Sequence, residues 1–508
     1  MGDSSVTPLL LDDNEKKQPR SLDARIEECI SQFGWAQLIQ SVLVSLSWAF
    51  DAQQCFISVF TDTLTDWSLQ NSSPFLTGLP ASSFFIGCVA GGLLLTPLAD
   101  SCLGRKNLLI LSCLLMSLSG LLTASLATDV FTYSLLRFAS GFGRASIGTC
   151  ALVLSGELVG SRFRSHVGII GFVFFALGFA SLPGIAYLNR HSSWRCLYMW
   201  TSLPALLYTL TLYFFARESP RWLFVRGSRE EAVKTINSIS SLPDPNSLIT
   251  LSFYTLDTTT ALTSDVYSAI RILVSRKWSS CRLLLIMTIT FGLGVVYYGM
   301  PLGLGNLSFN LYISVAMNAF MELPASLATF FLIGTIDRKS SLLMTTTISG
   351  VCSIFCGAFT GSKTMQVALE LVSFMSGTTA LDIALIYTME LFPTCVRNSA
   401  LSMVRLALVF GGAFGPVLAA AGRQNELVTY GIFGAVVLVT GVFVVWLPET
   451  RGSELCDTME EEDCKRMSVG FLCGRPYKTT YINDNYCKRS YVKQEITNQI
   501  VIGRHVAS

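Results

Sequence analysis

A series of apolar runs, each about as long as a helix that crosses a lipid bilayer, limits this sequence more than any other feature. The runs centre near residues 36–57, 80–99, 108–127, 131–156, 167–187 and 195–215, then near 282–304, 311–334, 341–360, 365–388, 399–421 and 428–447. A helix needs about 20 mostly apolar residues to span the hydrocarbon core, where its backbone groups must bond to one another. The expected fold is therefore an all-α membrane protein of twelve transmembrane helices. A polar stretch, 216–281, holds the turn-rich SLPDPNS and divides the runs into two groups of six. The expected organisation is an N-terminal segment (1–35), a six-helix half (36–215), a central loop (216–281), a second six-helix half (282–447) and a tail (448–508).

Orientation follows from the loops, because Lys and Arg collect on the cytosolic side. One face carries Lys16, Lys17, Arg20, Arg25, Arg105, Lys106, Arg162, Arg164 and the bases of the central loop, followed by Arg338, Lys339, Arg397 and Arg451. The other face has little beyond Arg190, Arg195, Lys363 and Arg423. Both termini and the central loop are expected in the cytosol. The start, MGDSSVTPLLLDDNEKKQPR, lacks the apolar core of a cleavable signal and is expected to be retained. The sequons at Asn71 and Asn306 fall on the opposite face and are candidate glycosylation sites.

Several functions are disfavoured by composition. Only 14% of the residues are charged, and the net charge of +2 gives no reason to expect a nucleic-acid partner. The fifteen cysteines are scattered without CxxC pairs, so neither a metal site nor a disulfide framework is expected, and no cofactor is implied. His166, His191 and His505 are far apart and no nucleophile–base constellation can be read, so an enzyme is not expected. There is no Walker A motif to support direct ATP driving.

The turn LADSCLGRKNLL (98–109) places Asp100, Gly104, Arg105 and Lys106 between the second and third runs. IDRKSSLL, with Asp337, Arg338 and Lys339, recurs between the eighth and ninth. A D…RK turn at the same place in each half suggests an internal duplication, and two parallel halves with a site between them form a transporter architecture. Further segments are RFASGFGRASIG (137–148), ESPRWL (218–223), YTMELFPTCVRN (387–398) and PETRG (448–452). Together these closely resemble the major facilitator superfamily over roughly residues 30–455. ESPRWL and ELFPTCVRN resemble its organic cation/carnitine transporter branch, and the short first outer loop (58–79) is similar to that of plant members. The resemblance implies a two-half rocker with a central cavity lined chiefly by the first, fourth, seventh and tenth helices.

A charge at the bilayer centre costs about 2.5–3.5 kcal/mol on insertion scales, so such residues usually face a cavity or a partner. Asp51, Arg137, Arg144, Glu322, Asp382 and Arg405 are the candidates. At about 1.5 Å of rise per residue, Asp51 lies roughly 9 Å from the outer end of its run, level with Arg137 and above Arg144. An Asp51–Arg137 or Asp51–Arg144 pair is expected, and a similar depth argument allows Asp382 to pair with Arg405. Each aspartate has two readings: attraction of a cation or proton, or neutralisation by its arginine. Glu322 matches the branch's E-[IL]-P-A signal on a peripheral helix beside Pro324, which would break the helix ladder, so a structural or gating role is expected. Glu157 and Glu390, with Arg162, Arg164 and Arg397, are expected to form inner-gate charge clusters whose pairs break in each cycle.

Tyr297 and Tyr298 match a YYG segment of the branch and are candidate faces for a quaternary ammonium group, with an interfacial aromatic belt as the alternative. Trp48 and Tyr387 are weaker cavity candidates. Animal cation members carry an aspartate at the position of Val409, where this chain has only Arg405 nearby. Animal carnitine carriers place an arginine near this region, which could bind a carboxylate. The expected function is therefore secondary-active carriage of carnitine or another small organic cation or zwitterion by alternating access, with proton coupling left open. The expected setting is a monomer in the lipid bilayer of the plasma or vacuolar membrane. A proton-coupled sugar or polyol carrier and a transporter-like sensor signalling through its tail are the alternatives.

Overall fold

The structure is a computed structural model. It describes residues 26, 29–30, 32–61, 67, 72–95, 98, 103–240, 268–307, 309–359, 362–423, 426–451, 456 and 458–463. All regular secondary structure among these residues is helical. In the first half lie α1 (Trp35–Ser45, continued by Ser47–Phe56 and the tight turn Ile57–Phe60), α2 (Pro74–Leu94), α3 (Arg105–Leu126), α4 (Val130–Arg144, continued by Ile147–Glu157), α5 (Arg164–Leu188) and α6 (Trp194–Phe215). In the second lie α7 (Lys277–Gly303), α8 (Leu311–Thr335), α9 (Arg338–Ala358), α10 (Lys363–Leu391), α11 (Thr394–Ala421) and α12 (Glu426–Val442, ending in Phe443–Trp446). Of these, 10 are long and apolar enough to cross a membrane; α4 and α6 fall outside that group. Three short helices, Pro220–Val225, Arg229–Ile239 and Ser268–Ser275, belong to the linker between the halves.

Local chemistry sets the helix starts. Asp129 accepts from the backbone N–H of Phe131 (2.8 Å) and Thr132 (2.9 Å), so two otherwise unbonded donors at the start of α4 are satisfied. Those bonds hold the exposed Asp129 carboxyl below its ordinary value. Asn310 caps α8 in the same way. Pro324 does not break α8, which runs continuously from Leu311 to Thr335. Ahead of α3, Gly104 has φ +84°, and a Cβ there would come within 2.4 Å of a Glu218 carboxylate oxygen. Glycine thus supplies both the left-handed turn and the space for Glu218.

Glycines also bring α7 and α11 into backbone contact. A Cβ on Gly294 would lie 1.9 Å from the Leu408 carbonyl oxygen, and one on Gly411 would lie 2.1 Å from that of Phe291. Without a hydrophobic drive between helices in lipid, close approach of this kind lets dispersion hold a bundle together. Between the halves, α2 packs on α11 and α5 on α8.

The packing differs at the two ends of the bundle. Away from the charged turns, one apolar core joins both halves and includes Phe56, Phe179, Tyr297, Phe374 and Phe433. At the turn end each half has its own core, one around Leu109, Leu154 and Tyr208, the other around Ile286, Ala384 and Tyr387. The halves therefore part toward the turns.

Candidate functional site

A cavity of about 350 Å³ lies where the two halves part. Its walls come from α1 (Trp48, Asp51), α4 (Arg144), α7 (Tyr297, Tyr298), α8 (Glu322), α10 (Asp382) and α11 (Arg405), with α2 and α5 contributing mainly small and apolar groups. The structure thus brings together on one surface all of the sequence candidates for substrate contact, Asp51, Arg144, Tyr297, Tyr298 and Asp382, and adds Glu322 and Arg405.

On the first-half wall, the Asp51 carboxylate accepts from Arg144 Nε (2.5 Å) and Nη2 (3.3 Å). Of the two pairs allowed by the depth argument, only this one forms. Asp51 lies deeper than a run ending at residue 57 implies, level with Arg144, because α1 continues to Phe60. Arg137, two turns from Arg144 on α4 and nearer the far end, is fully buried. Its Nη1 donates to the Gln54 carbonyl (3.1 Å), and its guanidinium lies 4.1 Å from the Phe84 ring centroid.

The second-half wall is built differently. Asp382 accepts from Thr329 Oγ1 (3.3 Å), and Glu322 accepts from the Tyr297 hydroxyl (2.9 Å). The expected Asp382–Arg405 pair is not formed: Asp382 is turned toward α8, and Arg405 faces the cavity with no ion-pair partner among the described residues. The peripheral placement expected for Glu322 also fails, since α8 presents it to the cavity.

Tyr297 and Tyr298 are buried rather than interfacial. Their ring centroids are 4.9 Å apart, and Tyr298 lies 4.7 Å from Phe85 and 5.9 Å from the Arg144 guanidinium. Trp48 lines the cavity, whereas Tyr387 does not; it is buried beside the turns, with its hydroxyl donating to the Pro448 carbonyl.

At the turn end, one device occurs twice. Glu218 of ESPRWL accepts from the backbone N–H of Arg105 (3.1 Å) and Lys106 (3.2 Å and 3.1 Å), where α3 starts. Glu449 of PETRG accepts from Arg338 (3.1 Å) and Lys339 (3.0 Å), where α9 starts. A carboxylate there satisfies open donors and complements the helix dipole. The two differ in setting. Burial pushes the Glu218 carboxyl above its ordinary value despite these bonds; around Glu449 burial acts the same way but is outweighed by the N–H groups of Arg451, Lys339, Thr450 and Arg338, and its carboxyl is lowered.

Glu157 and Glu390 were expected beside Arg162, Arg164 and Arg397, yet each pairs with the turn arginine of its own half. Arg105–Glu157 is 3.5 Å and Arg338–Glu390 is 3.1 Å. Arg164 Nε bonds to the Gly156 carbonyl (3.2 Å), Arg397 Nε to that of Phe392 (3.4 Å), and Arg162 lies over Phe163 (5.8 Å). Asp337 pairs with Arg451 at 3.4 Å. Asp100, Asn71 and the side chain of Asn306 lie outside the described residues.

Sequence reasoning missed Glu370 of α10, which is fully buried and accepts from Asn318 Nδ2 of α8 (3.0 Å). The signal was present in VALELVSF, an acid within an apolar run, but its nearness to the start of the run at 365 made it resemble an end residue. The capping roles of Glu218 and Glu449 were also missed, since they depend on segments distant in sequence.

The family model described as "Sugar (and other) transporter" matches residues 29–461. Organic cation/carnitine transporter 3 of Arabidopsis thaliana is 50% identical, covering 91% of this chain and 98% of that protein. Solute carrier family 22 member 3 of Mus musculus is 30% identical, covering 84% of this chain and 76% of that protein. Among solved structures, the partially occluded inward-open form of the Escherichia coli xylose transporter XylE matches with TM-score 0.64 at 18% identity, covering 83% of this chain and 99% of that one.

Proposed function

This chain belongs to the sugar (and other) transporter family of the major facilitator superfamily, and from that premise we propose that it carries small organic cations and zwitterions, carnitine among them, by alternating access. It is a multi-pass membrane protein. In this reading α4 and α6 complete a set of twelve spans, and both termini, the linker and the charged turns face the cytosol, as the Lys/Arg bias suggests. The membrane is the plasma or the vacuolar membrane, and the carrier acts as a monomer. The match to organic cation/carnitine transporters over nearly the whole chain supports the substrate class.

One observation carries the residue assignment: the charges on the two cavity walls are compensated differently. Asp51 already holds Arg144, so it has little field left for a passing cation. Asp382 and Glu322 are bonded only by hydroxyls, and Arg405 has no ion pair among the described residues. A trimethylammonium group, which has no hydrogen to donate, is held by a carboxylate and aromatic faces. Asp382, assisted by Glu322, Trp48 and Tyr298, provides that environment, and Arg405 receives the carboxylate of a zwitterion. The separate turn-end cores mark the state open toward the turns. The charge pairs Arg105–Glu157 and Arg338–Glu390 lie there, each within its own half, and steady the two halves as rigid bodies through the rocking motion.

Uptake of labelled carnitine into liposomes containing the purified protein tests the reading. Tetraethylammonium is expected to compete and glucose is not. Arg405→Gln is expected to lose carnitine uptake at least tenfold while keeping tetraethylammonium uptake. Competition by glucose alone would assign the protein to the sugar carriers instead, and no uptake of either cation would overturn the proposal.

A further inference from the structure

Outside the cavity, the Glu370–Asn318 pair has a hydrogen-bonding problem that one proton resolves. Both side chains are 0% exposed. Asn318 Nδ2 donates to Glu370 Oε1 at 3.0 Å, while Glu370 Oε2 and Asn318 Oδ1 have no hydrogen-bond partner among the described residues. As a carboxylate, Glu370 would leave two buried acceptors facing an environment with nothing to donate, and a buried ionised carboxylate without a cation is strongly disfavoured. As a carboxylic acid, it has an O–H to donate and the amide has an acceptor to receive it.

Among the described residues, the helices packed on α10 place no base at the level of Glu370. Helices α7, α8, α9 and α11 all contact α10. Their charged residues are Lys277 and Arg282 on α7, Glu322 on α8, Arg338 and Lys339 on α9, and Arg397 and Arg405 on α11. Every one of those bases lies on the turn side of the level of Glu370. On α10 itself Lys363 is exposed at the helix start, two turns away, while Asp382 and Glu390 lie further toward the turns. Among the other titratable groups, Cys356 of α9 donates to the Gln366 carbonyl (3.3 Å) and Tyr297 of α7 donates to Glu322 (2.9 Å). Glu322 is one turn from Asn318 on α8, so the pair adjoins the acids of the cavity wall.

We propose that Glu370 is a proton-binding site of this carrier: it is held as the neutral acid by Asn318 in the state open toward the turns, and releases its proton when the opposite end opens. The inference rests on the transport reading above. The end of α8 nearest the pair is covered from the first half, where Tyr312 lies 5.5 Å from Phe60 and 5.6 Å from Tyr187 between ring centroids. Separation of the halves there exposes that end of α8 and brings water to the pair, and water stabilises the carboxylate. Loading and unloading of one proton is thereby tied to the rocking of the halves.

The test uses wild type and Glu370→Gln in proteoliposomes. Glutamine keeps an acceptor for Asn318 Nδ2 and supplies an N–H for Oδ1, so the variant is expected to fold. Tetraethylammonium exchange at equal pH is expected to stay within threefold of wild type, whereas stimulation of uptake by an imposed pH gradient is expected to vanish. Infrared spectra at neutral pH give a readout independent of transport: the carbonyl stretch of a protonated carboxyl is expected in wild type and lost in Glu370→Gln. An unchanged pH-gradient response in the variant, or an infrared band that survives the substitution, would overturn the inference. If wild type exchanges no organic cation at all, the transport reading fails instead, and the infrared result still decides the protonation of Glu370.

Discussion

The two halves of this protein repeat one plan at the turns and depart from it at the cavity. At the turns Glu218 and Glu449 cap α3 and α9, and Arg105–Glu157 mirrors Arg338–Glu390. At the cavity the first half meets its acid with an arginine, Asp51 with Arg144. The second half meets its acids with hydroxyls, Thr329 for Asp382 and Tyr297 for Glu322. A buried charge with a bonded counter-charge clamps helices together, whereas one held only by hydroxyls keeps its attraction for a cation that arrives. In the proposed reading the repeated frame is mechanical, and recognition resides where the two halves differ.

Stability separates the two aspartates most strongly. Asp51→Asn leaves the Arg144 guanidinium buried without its carboxylate, an expected cost of about 3–5 kcal/mol in detergent unfolding. Adding Arg144→Gln should recover much of that loss. Asp382→Asn removes only a hydroxyl bond, and its expected cost is about 1 kcal/mol. Equal costs for the two aspartates would remove the distinction between clamp and recognition site.

The aromatic faces of the cavity have smaller expected effects. Trp48→Leu and Tyr298→Leu should each weaken trimethylammonium binding by about 0.5–2 kcal/mol, roughly 2- to 30-fold, while Tyr298→Phe keeps most of the affinity. Calorimetry with a tetraalkylammonium ion checks this, and an unaltered affinity in both leucine variants would exclude the aromatic faces.

The smallest expected effect concerns the caps. Glu449, lowered in the folded protein, contributes stability above its ordinary value that is lost as pH falls through the lowered one. Glu218, raised in the folded protein, acts in the opposite sense: stability declines as pH rises from the ordinary carboxyl value through the raised one. Melting temperatures against pH should therefore change in opposite directions in Glu218→Gln and Glu449→Gln. Parallel changes would show the two caps to be equivalent after all.

Much of the bundle could be read from the sequence because lipid permits few backbone solutions, and each run of the required length had to become a helix. Motif spacing also located the paired turns. Side-chain partners were harder to read. Asp51 found Arg144 because α1 extends to Phe60, a change of a few residues that alters depth by a turn. Asp382 and Arg405 matched in depth but not in direction, and sequence spacing does not encode how α10 is rotated against α8. Glu218 and Glu449 act across more than a hundred residues, and no periodicity reports such contacts.

Equilibrium binding of a tetraalkylammonium ion to two variants tests the central distinction most directly. One is Asp382→Asn; the other is the charge-neutral double variant Asp51→Asn/Arg144→Gln. Affinity is expected to fall at least tenfold in the first and to stay within threefold of wild type in the second. Retained affinity in Asp382→Asn together with lost affinity in the folded double variant would place the cation on the Asp51 wall and contradict the account.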